Sequence, residues 1–314
     1  MFTLRGGRSV KRLNLVVSLP NNNSYQREQA KAAQETARRL GAEIQIVYAD
    51  NDSVTQSSQL LDFVQSRGSR PDGILFEPLT ATGLVRVAEA AVTAGIGWAV
   101  LNSDVDYLDR LRTLSSVPVF EVTRDHTEIG RIQARQLAAL LPKGGNVLYV
   151  QGPANNSAAI QRTAGLESLK PQNIHLKLLR SQWTPENAQQ AVTAWLRLST
   201  SRADTIHAVS CQYDGIAMGA RKAFEEAFNV ADRERWLRLP FTGVDGLPNE
   251  GQAWVKQGIL AATVVTPTTT QIAIEIMAQA FEKGNQPPIR TLIDLKSYPL
   301  IEELARKAAP IAGR

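Results

Sequence analysis

The feature that most constrains the fold of this chain is a regular alternation of short apolar runs with helical segments along its whole length. The apolar runs have the length of β-strands, and helical periodicity follows most of them. The predicted strands are 13–19, 43–49, 73–77, 97–102, 118–122, 146–151, 174–180, 205–211, 239–244, 259–265 and 290–296. Strands that alternate with helices in this way form parallel sheets with right-handed crossovers. The sequence therefore predicts an α/β fold of doubly wound parallel sheets.

Two segments show how helices are assigned between these strands. Thr127–Leu141 carries its apolar residues on one helical face and is followed by the helix-breaking Pro142. Ser103–Val117 lacks a clear period, and the strand-like run Val117–Thr123 that follows it is a candidate for a crossing between lobes.

The length of the chain indicates two lobes, because 314 residues exceed the size of one comfortable core. Apolar residues make up 43% and charged residues 21%, which is ordinary for a globular protein. The net charge of +5 is mild, and Arg5, Arg8, Lys11 and Arg12 form its nearest concentration. These residues are interpreted either as an anion-attracting arm or as a solvated leader. The leader is favoured, since no aromatic residues interleave with them and no recognition helix follows. No nucleic-acid partner is predicted.

The rare residue types give no sign of a disulfide, a metal or a cofactor. Cys211 is the single cysteine, and the strand-like flank 206–210 indicates an inert core thiol. His126, His175 and His207 are scattered without metal-ligand spacing.

The sequence leaves the compartment open. No segment approaches the roughly 18 unbroken apolar residues of a membrane helix. Leu13–Leu19 is too short for a signal peptide, is interrupted by Asn14 and has no small-residue cleavage site after it, so it is interpreted as the first strand. We expect a periplasmic protein if this is a mature or re-started form, and a cytoplasmic one if Met1 is native.

Arg162 is the most informative single residue. The strand-like run Asn146–Gly152 passes through a Gly-Pro and Asn-Asn-Ser loop into a helix that carries Arg162 about one turn from its start. This places the residue at the carboxyl edge of an α/β sheet, where ligands bind. A guanidinium offers five fixed donors and keeps its charge, which suits hydroxyls or a carboxylate better than proton transfer. The alternative is a solvated residue on a helix surface.

Several further segments occur in an informative order. They are Asp72–Pro78, Ala94–Asn102, Val150–Gly165, Trp183–Ala188, Tyr213–Ala220, Gly243–Gly246 and Gly258–Thr263. Taken together, they resemble the type I periplasmic sugar-binding proteins of the ribose-binding group, over roughly Leu13 to Ile301. The sensor half of lac-repressor-type regulators shares that fold, but no helix-turn-helix segment is expected before Leu13.

This resemblance implies two α/β lobes joined by three crossovers, with a ligand cleft between the lobes. The crossovers are expected near Thr123, Thr266 and Leu292, the N-terminal lobe at 1–123 plus 267–291, and the C-terminal lobe at 124–266 plus 292–314. The implied function is binding of a small sugar or related polyhydroxylated ligand by hinge closure, as the solute-binding component of an ABC-type sugar transporter. The implied partner is a membrane permease, or a sensor or chemotaxis receptor, and the implied state is a monomer.

The resemblance also implies a set of ligand contacts. Carried over position by position, they are Asn22, Asn23, Tyr25, Asn102, Arg162, Trp183, Tyr213 or Asp214, Asp245 and Thr266. The set is chemically coherent, because amides and carboxylates accept hydrogen bonds from sugar hydroxyls and a guanidinium donates to them. Tyr25 and Trp183 would cover the apolar ring faces of the sugar.

The chain departs from the ribose-binding pattern at two of these positions. Asn102-Ser103 stands where ribose binders carry an Asp-Arg pair, and Thr266 stands where they carry Gln. A site built to hydrogen-bond a given hydroxyl strongly rejects analogues that lack that hydroxyl. The resemblance therefore does not imply that ribose itself is the ligand. An aldose, a polyol or another small polyhydroxylated molecule remains open.

Several of these residues also have a purely structural interpretation. Trp183 would then cap the edge of its lobe, and Asp245 would form a turn by bonding its own backbone. Asp214 would be the N-terminal cap of the helix that follows it, and at least one residue of Asn21–Asn23 would cap the first helix.

Two other function classes were weighed. Glu77, Asp214 and Asp245 would supply a carboxylate pair for glycoside hydrolysis, but the sequence contains no nucleophile elbow, phosphate loop or zinc-protease helix. No enzyme is therefore predicted. The alternative function is an intracellular or partner-coupled ligand sensor of the same fold.

Overall fold

The structure, a computed structural model, describes residues 12–66, 68–80, 84–198, 205–227 and 230–308. The strands are β1 (Asn14–Leu19), β2 (Glu43–Tyr48), β3 (Gly73–Phe76), β4 (Gly97–Leu101), β5 (Val119–Thr123), β6 (Gly145–Gln151), β7 (Ile174–Arg180), β8 (Ala208–Cys211), β9 (Phe241–Asp245), β10 (Ala262–Val265), β11 (Arg290–Leu292) and β12 (Lys296–Tyr298).

Helices connect most of these strands. They are α1 (Ser24–Leu40), α2 (Ser53–Gln65), α3 (Val85–Thr93), α4 (Leu108–Leu114), α5 (His126–Leu140), α6 (Ser157–Leu169), α7 (Pro185–Leu196), α8 (Asp214–Glu225), α9 (Val230–Leu237), α10 (Gly251–Lys256), α11 (Thr269–Lys283) and α12 (Ile301–Ala308). None of the helices in the described ranges has the length and apolar content needed to cross a membrane.

The described residues divide into two compact units. The first contains the described part of Met1–Thr123 together with Thr268–Ile293, and the second contains Arg124–Pro267 and the described part of Asp294–Arg314. The chain therefore passes from one unit to the other three times, after Thr123, after Pro267 and after Ile293.

Each unit is built on one six-stranded sheet. In the first unit the strand order is β11-β5-β4-β3-β1-β2, and all recorded pairings are parallel. In the second unit the order is β12-β10-β9-β8-β6-β7, with β12 antiparallel to β10 and the other pairings parallel. The predicted α/β fold of two parallel-sheet lobes is confirmed.

Local sequence explains where many helices begin. The side chains of Asn23, Asp52, Asp125, Asn156 and Thr184 each precede a helix and accept a hydrogen bond from a backbone N–H of its first turn. These bonds satisfy donors that a helix otherwise leaves open.

Aromatic side chains fill the core of each unit. In the first unit the rings of Phe76 and Trp98, on neighbouring strands β3 and β4, have centroids 4.7 Å apart. In the second unit Phe224 stacks on Trp236 at 5.0 Å and meets Phe241 edge-on at 5.9 Å. Every residue of β3, β4, β8 and β9 is buried, as expected for central strands covered on both faces.

One sequence prediction of the fold is wrong, and one segment without a prediction is helical. Ser103–Val117 contains the helix α4, whose seven residues bury only Leu108 and Leu111 and are too few to show a helical period. The predicted strand 290–296 is two strands, β11 in the first unit and β12 in the second. A run of strand-forming residues does not reveal that the chain changes sheets within it.

Candidate functional site

In the first unit, an asparagine-rich turn follows β1 at the carboxyl edge of the sheet. The side chain of Asn23 accepts from the backbone N–H of Gln26 at 2.9 Å and caps α1, which confirms the prediction of a cap in this turn. Asn21 accepts from the backbone N–H of Asn23 at 3.0 Å and donates to Asn51 at 2.7 Å. Asn22 is exposed, and its backbone oxygen accepts from the guanidinium of Arg27 at 2.7 Å.

A polar cluster forms where β1, β3 and β4 end side by side. The amide nitrogen of Asn102 donates to Glu77 Oε2 at 2.8 Å and to the Tyr25 hydroxyl at 3.0 Å. Gln26 Nε2 donates to the same Glu77 oxygen at 3.1 Å. Asn102 holds a left-handed backbone with φ of 56°, which asparagine tolerates better than most residues.

This cluster contains two acceptors that no bond in the unit uses. Asn102 Oδ1 and Gln26 Oε1 are buried and have no hydrogen-bond partner among the residues described. A buried polar atom without a partner destabilises a protein by about 1–3 kcal/mol. A bound molecule with hydroxyl groups would supply the missing donors.

A buried glutamine fixes the Tyr25 hydroxyl from the opposite side. Gln29 Nε2 donates to that hydroxyl, and Gln29 Oε1 accepts from the backbone N–H of Thr270 at 3.1 Å and from its hydroxyl at 2.9 Å. Thr270 lies in the first turn of α11. The orientation of Tyr25 therefore depends on the packing of α1 against α11.

In the second unit, Arg162 lies in α6 and is only 5% exposed. Its guanidinium donates to the backbone oxygen of Gln212, and its Cζ lies 5.6 Å from the centre of the Trp183 ring. The alternative of a solvated Arg162 on a helix surface is wrong. The structure brings Arg162 and Trp183 together as a cation–aromatic pair.

Two glycines allow this pair to sit where it does. A Cβ at Gly130 in α5 would come within 2.0 Å of the backbone oxygen of Arg162, so α5 and α6 touch backbone to backbone. A Cβ at Gly152, directly after β6, would come within 2.4 Å of the Trp183 ring. Neither close approach is available to a residue with a side chain.

Gln212, directly after β8, connects the loops around Arg162. Its Nε2 donates to the Tyr149 hydroxyl at 3.0 Å and to the Ala159 backbone oxygen at 2.9 Å, and its Oε1 accepts from the Gly152 backbone N–H at 2.9 Å. Burial raises the pKa of Tyr149 well above its usual range, so its hydroxyl stays protonated.

Asp214 is 1% exposed, and both of its oxygens have partners inside the second unit. Oδ2 accepts from the backbone N–H of Gly246 at 2.7 Å, and Oδ1 accepts from the Thr263 hydroxyl at 2.7 Å. Burial, with a smaller contribution from the charge of Asp245, raises the pKa of the Asp214 carboxyl well above its usual range. The interpretation of Asp214 as a helix cap is wrong, because Tyr213 holds the cap position. The Asp214 carboxyl bonds instead to Gly246, directly after β9, and to Thr263 within β10.

Asp245 ends β9 with φ of 102°, an uncommon value for a residue other than glycine. Its Oδ1 accepts from Arg124 NH1 at 2.9 Å, 121 residues away in the chain, and the two side chains are 8% and 4% exposed. The Thr266 hydroxyl lies 3.5 Å from the same oxygen. The turn-former interpretation of Asp245 misses this ion pair, since the carboxylate bonds a distant side chain.

Tyr213 and Trp183 both contribute to packing as well as to the edge of the sheet. Tyr213 is buried against Gly215 and belongs to the aromatic core of the second unit, and Trp183 is partly buried against that core. Their roles towards a ligand stay predictions.

Sequence reasoning missed three polar residues of these clusters: Gln26, Arg124 and Gln212. It considered Glu77 only as a hydrolytic carboxylate. Glu77 and Gln212 each follow a strand directly, and Arg124 follows β5 directly. Examining the first polar residue after every predicted strand would have found Gln212, because this edge of a parallel sheet is where ligands bind. It would have missed Glu77 and Arg124, since the predicted strand 73–77 includes Glu77 and the predicted strand 118–122 ends one residue before Thr123.

The chemistry available in the two units is binding chemistry. It consists of amide and carboxylate acceptors, guanidinium donors and aromatic faces. Within the ranges that the structure describes, no group of three or more His, Cys, Asp or Glu residues is arranged to hold a metal ion.

Comparison with known proteins identifies the family of the chain. The model of a family described as periplasmic binding protein domain matches residues 15–286. The D-allose-binding periplasmic protein of Escherichia coli is 26% identical over 85% of this chain and 84% of its own length. The ribose import binding protein of Salmonella typhimurium is 27% identical over 90% of this chain and 88% of its own length.

Among solved structures, an ABC transporter periplasmic solute-binding protein from Actinobacillus succinogenes with bound D-allose superposes with a TM-score of 0.77. It is 21% identical, and the match covers 94% of this chain and all of that one. At this identity the likeness supports the fold.

Proposed function

The chain belongs to the family of periplasmic binding protein domains, and on that premise we propose that it binds a small sugar or a related polyhydroxylated molecule as the solute-binding component of an ABC-type sugar transporter. Two relatives that match most of their length are named as allose- and ribose-binding proteins. The chain is a binding protein and not an enzyme.

The observation that carries the proposal is the pair formed by the buried Arg162 and the partly buried Trp183. A guanidinium stacked on an aromatic ring at the carboxyl edge of a parallel sheet presents fixed donors beside an apolar face. A sugar offers the complementary surfaces, because its hydroxyls accept hydrogen bonds and the C–H groups of its ring pack on aromatic faces.

In the first unit the proposed contacts are Asn22, Tyr25 and Asn102. The buried acceptor oxygen of Asn102 supports this choice, since a ligand hydroxyl would provide its missing donor. Glu77 orients Asn102 through the bond at 2.8 Å, and Asn23 holds the turn as the cap of α1. Glu77 therefore joins the proposed site as a positioning residue.

In the second unit the proposed contacts are Arg162, Trp183, Asp245 and Thr266. Asp245 ends β9, Thr266 follows β10 directly, and Trp183 and Arg162 lie in the segments after β7 and β6. The ends of these strands lie along one edge of the sheet. We propose that Asp214 and Tyr213 act indirectly, since both are buried and the Asp214 oxygens are already bonded within the unit.

We propose that one ligand takes contacts from both units. A ligand stabilises a closed form only by contacts that the open form lacks, so residues of each unit are expected to affect affinity. The protein would act as a monomer in the periplasm and deliver its ligand to a membrane permease. Fractionation of cells that express the native gene tests the compartment, and cytoplasmic residence would contradict the transport role.

A thermal-shift panel tests the ligand class. Purified protein is heated with D-allose, D-ribose, D-xylose, xylitol and myo-inositol, each at millimolar concentration, with sodium chloride as the control. A ligand at 100 times its Kd stabilises the folded protein by about 2.7 kcal/mol, which raises the unfolding midpoint by several degrees. A panel of sugars and polyols that leaves the midpoint unchanged would contradict the proposal.

A further inference from the structure

We propose that Arg124 is a positioning residue of the ligand site, which holds the Asp245 carboxylate in the orientation that a ligand hydroxyl requires. This inference rests on the proposed function, because Asp245 is one of its proposed ligand contacts. It adds a residue that sequence reasoning did not find.

The geometry of the pair is specific. Arg124 NH1 donates to Asp245 Oδ1 at 2.9 Å, and both side chains are more than nine-tenths buried. The Thr266 hydroxyl lies 3.5 Å from the same oxygen. Arg124 and Thr266 therefore both fix the Asp245 carboxylate through Oδ1.

The backbone of Asp245 needs this support. A φ of 102° is strained in a residue with a side chain, and such a conformation persists only where the surroundings enforce it. The Thr266 backbone N–H donates to the Asp245 backbone oxygen at 3.1 Å, and Arg124 anchors the side chain. A buried carboxylate is also expensive unless an opposite charge lies beside it.

Asp214 in the same unit shows the contrast. Its oxygens are bonded by a backbone N–H and a hydroxyl rather than by a guanidinium, and burial raises its pKa well above the usual range. A carboxyl held that way favours its protonated form. Of these two carboxyl groups, Asp245 is the one bonded by a guanidinium, which forms charge-assisted hydrogen bonds.

The position of Arg124 in the chain gives the pair a second consequence. Arg124 is the first residue of the second unit after the chain leaves β5, and Thr266 stands one residue before the chain leaves it again at Pro267. Both residues contact Asp245. The Asp245 carboxylate and backbone are therefore anchored to two of the three places where the chain passes between units.

A double-mutant cycle tests the inference. The variants are Arg124→Gln, Asp245→Asn and the double variant, titrated calorimetrically with D-allose and with D-ribose. We expect Arg124→Gln to weaken binding at least about 10-fold, because the Asp245 carboxylate then loses the guanidinium that orients it. In the Asp245→Asn background the same change is expected to have little further effect, because its target is gone.

The matched control is Arg290→Gln. Arg290 also pairs with a buried carboxylate, Glu121, but both lie on the β5–β11 edge of the first unit, and neither is a proposed ligand residue. This variant is expected to bind as the unmodified protein does. Unchanged affinity in Arg124→Gln, or losses that multiply independently in the double variant, would overturn the inference.

A measurement without ligand separates this inference from the proposed function. Arg124→Gln leaves a buried carboxylate without its partner, so its thermal midpoint is expected to fall, and adding Asp245→Asn is expected to raise it again. If the unmodified protein binds neither sugar, the proposed function fails for those sugars. The recovery of the thermal midpoint in the double variant would still show whether Arg124 acts through Asp245. Additive midpoint shifts would show that Arg124 does not act through Asp245.

Discussion

Gly130 in α5 and Arg162 in α6 meet so closely that a Cβ on the glycine would lie 2.0 Å from the arginine backbone oxygen. That distance is far inside van der Waals contact, and the opposing atom is backbone, which cannot swing aside. The position of a buried guanidinium is therefore set by the absence of a side chain on the neighbouring helix.

Gly130→Ala is expected to move α6 and to weaken both the fold and the site. Overpacking of this kind destabilises by about 1–3 kcal/mol, so the thermal midpoint should fall by several degrees. Binding of D-allose or another ligand found by thermal shift should weaken in the folded variant. Gly68→Ala is the control, because a Cβ at Gly68 meets nothing within 4 Å; equal affinity in both variants would contradict the role of the close contact.

Arg162→Ala is expected to weaken ligand binding by about 10- to 100-fold, because hydrogen bonds from charged groups contribute about 1.5–3 kcal/mol. Arg162→Lys should lose less, since it keeps the charge but not the planar fork. Calorimetry measures both, with circular dichroism to verify folding. Arg131→Ala, at a half-exposed position on α5, serves as the control. Unchanged ligand affinity in Arg162→Ala would contradict the proposal that Arg162 contacts the ligand.

Asn102→Asp is expected to make stability fall with rising pH. The new carboxylate would replace the amide that donates to Glu77 at 2.8 Å, so two acids would share one site and the pKa of one would rise in the folded state. The acid with the raised pKa then stabilises the folded state below about pH 4. This contribution is lost as pH rises through that raised pKa. Denaturant unfolding at pH 4 and pH 7.5 measures this, and Glu77→Gln added to Asn102→Asp should restore stability at pH 7.5. A deficit that is equal at both pH values would contradict the shared-proton explanation.

The stability of Asp214→Asn relative to that of the unmodified protein is expected to increase as pH rises. Burial raises the pKa of Asp214 in the folded state, so the unmodified protein loses stability as pH increases from about 4 towards that raised value, by up to about 1.4 kcal/mol per pH unit. Asparagine does not titrate and can bond both Gly246 and Thr263. Unfolding at pH 4.5 and pH 7.5 tests the trend.

Asp52→Asn is expected to show the opposite dependence of relative stability on pH. The Thr55 hydroxyl, followed by the Val54 backbone N–H, lowers the pKa of Asp52 at the cap of α2, so its contribution is present above its unfolded pKa and is lost as pH falls. The stability of the unmodified protein relative to that of Asp52→Asn should therefore increase as pH rises. The same trend in the two variants would show that the pH dependence does not come from these carboxyl groups.

The fold was predictable from the sequence because each central strand is buried on both faces and stands out as an apolar run. Short elements were not predictable in the same way. The helix α4 has seven residues, too few to show a helical period. The boundary between β11 and β12 depends on a change of sheet rather than on composition.

The candidate site was predictable where chain position alone brings residues together. Arg162 and Trp183 each follow a strand of one sheet, and neighbouring strand ends place them side by side. The bond between Arg124 and Asp245 spans 121 residues, and no local pattern encodes it. The enclosure of Asp214 likewise depends on β9 and β10, which are distant in sequence.

The threefold passage of the chain has a consequence for biosynthesis. β5 lacks its outer partner β11 until the ribosome has passed Leu292, by which time nearly all of the second unit has been made. At about 5–20 residues per second, the nascent first unit waits many seconds with an open sheet edge. Such an edge is a template for unwanted strand pairing, so a chaperone that shields β5 during synthesis would protect this protein more than one whose domains are contiguous.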